Sequence, residues 1–168
     1  MRGRLSAAVT VVLAIAAGQP ARPEPRSARL LDLGPLYGAA VERAVEGAVR
    51  RLESPDCQRI FADFRDGSGV SLRDRLDAQG VAAPEYLRRL VFTDGFGHRS
   101  CREGDALALT SPGSRVVYVC GPRFQQAQAR RPGTAEIVVL HEALHTLGLG
   151  ENPPHSLEIT RQVEARCN

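Results

Sequence analysis

Lysine is absent from this chain of 168 residues, and all 22 of its basic residues are arginine. An excess of charge is also missing, because 19 acidic residues leave a formal net charge of only +3 at pH 7. The arginines are interspersed with the acidic residues, as on an ordinary solvated surface. The composition therefore gives no reason to expect a nucleic-acid partner or a membrane-binding basic patch.

The apolar stretch at the amino terminus, Leu5 to Gly18, is too short to span a bilayer comfortably. A short basic segment precedes it, and small residues close it, which is the pattern of a secretory signal peptide. We place the signal peptide at residues 1–18, with cleavage between Ala16 and Ala21. Its removal takes away Arg2 and Arg4 and lowers the formal net charge from +3 to +1.

The rest of the chain contains no visible repeat and no second compositional regime. Residues 19–29 carry three prolines and three arginines with little apolar content, which predicts a flexible leader. Residues 30–168 are enough for one domain with a sizeable core. We therefore expect a single folded domain after the leader.

No pair of cysteines has C-x-x-C spacing, which argues against zinc ligation by thiolates. An even number of cysteines behind an export signal instead predicts two disulfides, for which three pairings are possible. We favour Cys101–Cys120, which brackets a predicted hairpin, and Cys57–Cys167, which joins the carboxyl terminus to an early helix.

The segment Val138 to Glu151 contains His141-Glu142-x-x-His145 among apolar neighbours. On a helix, side chains four residues apart project from one face, so both imidazoles can reach one Zn²⁺. Glu142 then faces the metal's water. The apolar flanks predict a buried helix, in which these polar side chains would be costly without a metal.

This motif resembles the active-site helix of the zincin metallopeptidases. Extended to Gly148 and Glu151, it is similar to the metzincin pattern H-E-x-x-H-x-x-G-x-x-H/D. The chain departs from that pattern twice. Its last position is Glu151, and its only methionine is Met1, so no Met-turn can follow the helix. The resemblance covers about the last thirty residues.

Three residues compete to be the third metal ligand. Glu151 stands at the metzincin distance, and Gly148 permits the turn that would bring it back to the metal. Glu158, in the first turn of the last predicted helix, and His155, in a loop beside two prolines, are the alternatives. We favour Glu151, with His141 and His145 as the other two ligands of Zn²⁺.

The predicted chemistry is hydrolysis of a peptide bond by a zinc-activated water, with Glu142 as general base. Four residues are candidates to stabilise the oxyanion, and the sequence does not choose among them: His98, Tyr118, Arg123 and His155. We expect an edge strand near the cleft to hold an extended peptide, and we assign that role to the strand over residues 115–119.

The elements predict an α+β domain with helices around a small sheet and the active-site helix near the carboxyl terminus. Helices are expected at residues 36–53, from 55, at 71–79 and at 84–89, and strands at 90–93, 106–110 and 115–120. A helix over residues 121–130, an active-site helix with Thr134 as N-cap, and a last helix capped by Ser156 complete the chain.

We therefore expect a secreted or periplasmic zinc metallopeptidase. It would be a monomer that acts on a peptide or protein, with no nucleic-acid partner and no stable membrane insertion after signal cleavage. Proteins, peptides and the peptide cross-links of cell walls all remain open as substrates. The alternative is a secreted zinc-binding or disulfide-stapled structural or binding domain without catalytic activity.

The signal peptide gives a first prediction. Exported protein should begin near residue 19, because the small residues after the apolar stretch provide the cleavage site. Sequencing the amino terminus of protein recovered from the export compartment checks this. Exported protein that still begins at Met1 would contradict the assignment.

Overall fold

The computed structural model describes residues 28–168. The signal peptide and all but the last two residues of the predicted leader lie outside this range. Residues 28–168 form four strands and nine helices, in the chain order β1 (Arg29–Leu31), α1 (Pro35–Arg51), α2 (Pro55–Gln58), α3 (Ile60–Asp63), α4 (Leu72–Ala78), α5 (Ala83–Leu87), β2 (Val91–Asp94), α6 (Arg99–Glu103), β3 (Ala108–Thr110), β4 (Val116–Val119), α7 (Gly121–Arg130), α8 (Pro132–Thr146) and α9 (Ser156–Cys167).

The four strands form one sheet in the order β1-β2-β4-β3. Strands β1, β2 and β4 run parallel, whereas β3 is antiparallel to β4. Helices and a small sheet thus make up the domain, which confirms the predicted α+β class. Among the residues that the structure describes, no helix is both long and apolar enough to cross a membrane.

Helix α8 is the central helix of the fold. It packs against α1, α7, α9 and strand β3, so it has neighbours on nearly every side. Its apolar side chains are buried as predicted, and Leu140, Ala143 and Leu144 have no exposed surface. Since an apolar helix of this kind is stable only inside a core, the rest of the chain is arranged around it.

Several element boundaries differ from the sequence predictions. Helix α8 begins two residues before Thr134, with Arg131 as its N-cap, because Pro132 supplies the first helical position without needing an amide partner. The N-cap of α9 is His155, not Ser156. Strand β1 and helix α6 were not predicted. Arg29, assigned to the leader by its sequence, is the first residue of β1.

The serine at the start of α4 was predicted correctly. The Ser71 hydroxyl accepts a hydrogen bond from the Asp74 backbone amide, which satisfies one of the free amides in the first turn of the helix. Ser54 precedes α2 but makes no such bond with its side chain.

Both favoured disulfide pairings are present. Cys57–Cys167 joins α2 to the end of α9 across a sequence separation of 110 residues, and Cys101–Cys120 joins α6 to the end of β4 across 19 residues. Within residues 28–168 no cysteine is free. Two disulfides favour an oxidising, extracellular type of environment for this domain.

The two disulfides should differ in their contributions to stability. The double substitution Cys57→Ala/Cys167→Ala should lower the free energy of unfolding by about 2–5 kcal/mol, because it removes the cross-link that closes the longer loop. The matched control, Cys101→Ala/Cys120→Ala, opens a shorter loop and should cost roughly 1–2 kcal/mol less. Urea unfolding of the oxidised proteins measures both. The reverse order would contradict this account.

Candidate metal centre

Helix α8 presents the two predicted histidines one turn apart on the same side. His141 is 6% exposed and His145 is 5% exposed. Their Nε2 atoms lie 3.0 Å from each other, so the rings point at a common centre. Burying two imidazoles removes them from water, and apolar packing does not offset the cost of that desolvation.

The chain turns back towards the histidines directly after α8. Leu147 ends the helix, and Gly148 follows with φ of +109°, a backbone conformation that strongly favours glycine. The turn is closed by hydrogen bonds from the amides of Gly148 and Leu149 to carbonyls in the last turn of α8. Leu149 is buried. The turn therefore places Glu151 beside the two histidines.

The carboxylate of Glu151 completes a group of three. Its Oε1 atom lies 3.3 Å from Nε2 of His145 and 3.7 Å from Nε2 of His141. In the part of the chain that the structure describes, this is the one group of three or more His, Cys, Asp or Glu side chains that could hold a metal ion. The structure thus brings together the three residues favoured as ligands from the sequence.

The spacing of the three donor atoms can be compared with that around zinc. Tetrahedral Zn²⁺ with bonds of about 2.0–2.1 Å keeps its ligand atoms about 3.3 Å apart. The distances of 3.0, 3.3 and 3.7 Å in the structure scatter around that value. The residues present therefore fit a small divalent cation with nitrogen and oxygen ligands, and they leave its fourth position to a non-protein ligand.

The outer ring nitrogen of each histidine has its own partner. Nδ1 of His145 lies 2.8 Å from the carbonyl oxygen of Leu149, and Nδ1 of His141 lies 3.0 Å from Oγ1 of Thr160. A carbonyl oxygen can only accept, so His145 donates from Nδ1 and keeps the lone pair of Nε2 free. Such outer contacts are typical of metal-binding histidines, since they fix the ring and its tautomer.

Burial also sets the charge state of His141. The pKa of its imidazole is lowered to about 4, chiefly by burial and then by the neighbouring His145. The ring is therefore neutral at physiological pH. A neutral imidazole is the form that binds a metal ion.

Glu142 is 6% exposed and lies beside the group without belonging to it. It lines a cavity of about 320 Å³ together with His145 and Glu151. Within residues 28–168 no side chain or backbone amide donates a hydrogen bond to its carboxylate. Burial, and then the nearby Glu151, raise its pKa to about 8. A cation bound nearby would oppose this shift and favour the carboxylate form.

The two alternative third ligands lie elsewhere. Glu158 is exposed in the first turn of α9, where a carboxylate is favoured by the helix dipole. His155 is exposed, and its Nδ1 accepts a hydrogen bond from the Leu157 amide as the N-cap of α9. Neither residue belongs to the group that could hold a metal.

None of the four proposed oxyanion residues is among those that line the cavity. The guanidinium of Arg123 is occupied by the carbonyl oxygens of Ser100, Cys101 and Ala106. The rings of His98 and Tyr118 pack on each other, with centroids 4.1 Å apart. Besides Glu142, His145 and Glu151, the polar residues that line the cavity are Ser100, Thr110 and Ser156.

The strand beside the cavity is also not the one predicted. Strand β4, which contains residues 116–119, lies inside the sheet and pairs with β2 on one side and β3 on the other. The edge strands are β1 and β3, and the residues Ala108, Leu109 and Thr110 of β3 line the cavity. An alternating apolar pattern identifies a strand but does not reveal its place in the sheet, which explains the error.

The hairpin turn between β3 and β4 is fixed to the turn of α8 that carries His145. The Gly113 amide donates to the carbonyl oxygen of His145 over 2.9 Å. On another side of the same turn, the buried Tyr86 hydroxyl donates to Thr146 Oγ1 over 2.9 Å. These two bonds hold the edge strand and helix α5 against the carboxyl-terminal turn of α8.

Sequence analysis missed two kinds of residue at this site. Thr160 faces His141 from α9, and Ser100 and Ser156 reach the cavity from α6 and the start of α9. The buried residues Ile159 and Val163 would have identified the inner face of α9. No sequence signal shows which residue of α8 that face meets.

Comparisons with protein-family models, with curated proteins and with solved structures find no match to this chain.

The assignment of the third ligand can be tested on the three competing residues. Glu151→Ala should lose bound zinc and lower zinc affinity on the order of 100-fold or more, because it removes a donor atom. Glu158→Ala and His155→Ala should keep near wild-type affinity. Metal analysis after dialysis and competition with a chromogenic chelator measure both. Zinc lost from Glu158→Ala but kept by Glu151→Ala would reverse the assignment.

Proposed function

We propose that this chain is a secreted zinc-dependent peptidase, with His141, His145 and Glu151 as metal ligands and Glu142 as general base. One observation carries the proposal: the carboxylate of the largely buried Glu142, to which no described residue donates a hydrogen bond, lines the same cavity as a three-membered ligand group. A site that served only structure would have no use for a carboxylate in this place, since removing it from bulk water is costly.

The donor set favours zinc among the common divalent ions. Two imidazole nitrogens and one carboxylate oxygen suit Zn²⁺, whereas Ca²⁺ and Mg²⁺ prefer all-oxygen sites. Three protein ligands with an open position are typical of catalytic zinc, and structural zinc sites use four. Bound at such a set, zinc supplies Lewis acidity and a water of lowered pKa.

Glu142 has the position and environment that proton transfer needs. The residue next to His141 on a helix is rotated by about 100° from it, so its carboxylate reaches the open side of the group without being a ligand. Among the described residues, none donates a hydrogen bond to this carboxylate. Its carboxylate accepts a proton from the attacking water and returns it to the leaving amine.

The edge strand gives the substrate a place to bind. One side of β3 pairs with β4, and its residues line the cavity, so an extended peptide can add to its free edge beside Glu142. Backbone pairing would hold a peptide in register whatever its side chains are. The three-residue length of β3 limits this pairing to a short stretch of substrate.

The oxyanion donor is assigned to Ser156 in place of the four earlier candidates. Thr110, another hydroxyl in the cavity wall, already donates to the Val116 carbonyl, whereas Ser156 stands at the amino-terminal end of α9, which carries the partial positive charge of the helix dipole. A hydroxyl beside a helix amino terminus is suited to a developing negative charge.

A metal-binding protein without turnover is the rival function. It is supported by the way the three ligands join α8 to the loop before α9, which would stabilise the fold when metal binds. A Glu142 substitution separates the two functions, because the rival gives this carboxylate no chemical role.

Replacing Glu142 by glutamine is the direct test. Glu142→Gln keeps the size of the side chain and removes the base, so zinc content and fold should persist while the peptidase rate falls by roughly 10²–10⁴. Turnover of a pool of fluorogenic peptides, zinc analysis and thermal unfolding are measured on the same preparation. The exposed Glu158→Gln is the control and should retain wild-type activity.

Each other outcome is informative. Full peptidase activity in Glu142→Gln would exclude Glu142 as the base. Unfolding of that variant would make the carboxylate structural. Wild-type protein that binds zinc but cleaves no member of the pool, nor casein, would favour the metal-binding rival.

A further inference from the structure

The outer nitrogen of His141 has a partner from a different helix. Thr160 of α9 is 19 residues further along the chain, and its Oγ1 lies 3.0 Å from His141 Nδ1. The corresponding partner of His145 is a backbone carbonyl, four residues away on the same turn. His145 is thus oriented by local structure, whereas His141 depends on how α9 packs against α8.

Helix α9 is firmly held in the position that this contact needs. Ile159 and Val163 flank Thr160 and are fully buried against the core. At the far end, the Cys57–Cys167 disulfide fixes the last residue of α9, and Arg166 pairs with Asp63 of α3 at 2.9 Å. Thr160 itself is half-buried, so its hydroxyl is partly shielded from competing water.

Metal binding through Nε2 determines which ring nitrogen of His141 carries the hydrogen. For Nε2 to bind a metal, its lone pair must be free, and the ring hydrogen must sit on Nδ1. That hydrogen needs an acceptor, because a buried N–H without one is costly. Thr160 Oγ1 is the acceptor that the structure places there.

We propose that Thr160 is a positioning residue for the metal centre, which holds the His141 ring by accepting a hydrogen bond from Nδ1–H so that Nε2 faces the metal. The inference rests on the proposed metal site and adds to it a residue outside the ligand group. Thr160 is not among the residues that line the cavity, so it acts through His141 alone.

A neutral acceptor at this place has a specific consequence. A carboxylate partner would add negative charge behind the ligand and raise the basicity of the imidazole, whereas a hydroxyl mainly fixes its orientation. Loss of the Thr160 hydroxyl should therefore weaken metal binding through ring orientation and the unpaired N–H. It should leave the secondary structure unchanged.

Three variants isolate the hydroxyl. Thr160→Val keeps the branched shape and removes the acceptor, and it should weaken zinc binding by about 10–100-fold. Thr160→Ser restores the acceptor and should bind zinc within about threefold of wild type. Thr134→Val is the matched control, because Thr134 is exposed on α8 and is not a hydrogen-bond partner of either histidine; it should bind zinc as wild type does.

Zinc affinity is measured on the full mature chain with intact disulfides, by competition with a chromogenic chelator. A second readout is independent of affinity: nuclear magnetic resonance of the zinc-loaded protein should show a slowly exchanging Nδ1–H for His141 in wild type and Thr160→Ser. That proton should exchange rapidly in Thr160→Val. If valine prevents folding, Thr160→Ala takes its place with the same expectation.

The outcomes separate this inference from the function on which it rests. Wild-type affinity and a protected Nδ1–H in Thr160→Val would overturn the role of Thr160 and leave the metal site intact. Equal loss of affinity in Thr160→Val and Thr160→Ser would also overturn it, because the effect would come from packing. Wild-type protein that binds no zinc would overturn both.

Discussion

The burial of two imidazoles and one carboxylate, those of His141, His145 and Glu142, at one end of an apolar helix is the constraint that the rest of this structure depends on. Helix α8 is covered by α1, α7, α9 and β3. Polar groups in such a place lose their hydration and must recover it from one another or from a ligand. A metal ion held by His141, His145 and the exposed Glu151 would compensate both buried imidazoles at once, and the geometry of the group suits that use.

The surroundings of α8 are built to fix this end of the helix. The hairpin turn donates to the His145 carbonyl, Tyr86 donates to Thr146, and the turn after Gly148 supplies the Leu149 carbonyl. Thr160 adds a contact from α9. Each partner comes from a different element, so the orientation of the ligand group depends on the packing of the whole domain.

The part of the cavity wall that α6 forms is held in another way. Helix α6, which carries Ser100, has no buried residue. It is fixed by the Cys101–Cys120 disulfide and by the Arg123 guanidinium, which binds three backbone carbonyls around it. A wall secured by cross-links instead of apolar packing can keep a cavity open, because no hydrophobic cluster has to fill the space behind it.

The sequence by itself determined what is local in this protein. Four-residue spacing places His141 and His145 on one helical face, apolar flanks bury that helix, and Gly148 marks the turn that follows. The α+β class also followed from patterns along the chain. These features depend on backbone geometry and on neighbours in sequence, so short-range physics is enough to predict them.

Only the tertiary structure decided what depends on distant packing. It placed Glu151 beside the two histidines and left Glu158 and His155 outside that group, put β3 and not β4 at the sheet edge beside the cavity, and brought Thr160 to His141. In each case several residues had suitable chemistry, and the choice among them depended on which elements come into contact. Such contacts come from burying surface between elements far apart in sequence, and no local pattern along the chain encodes them.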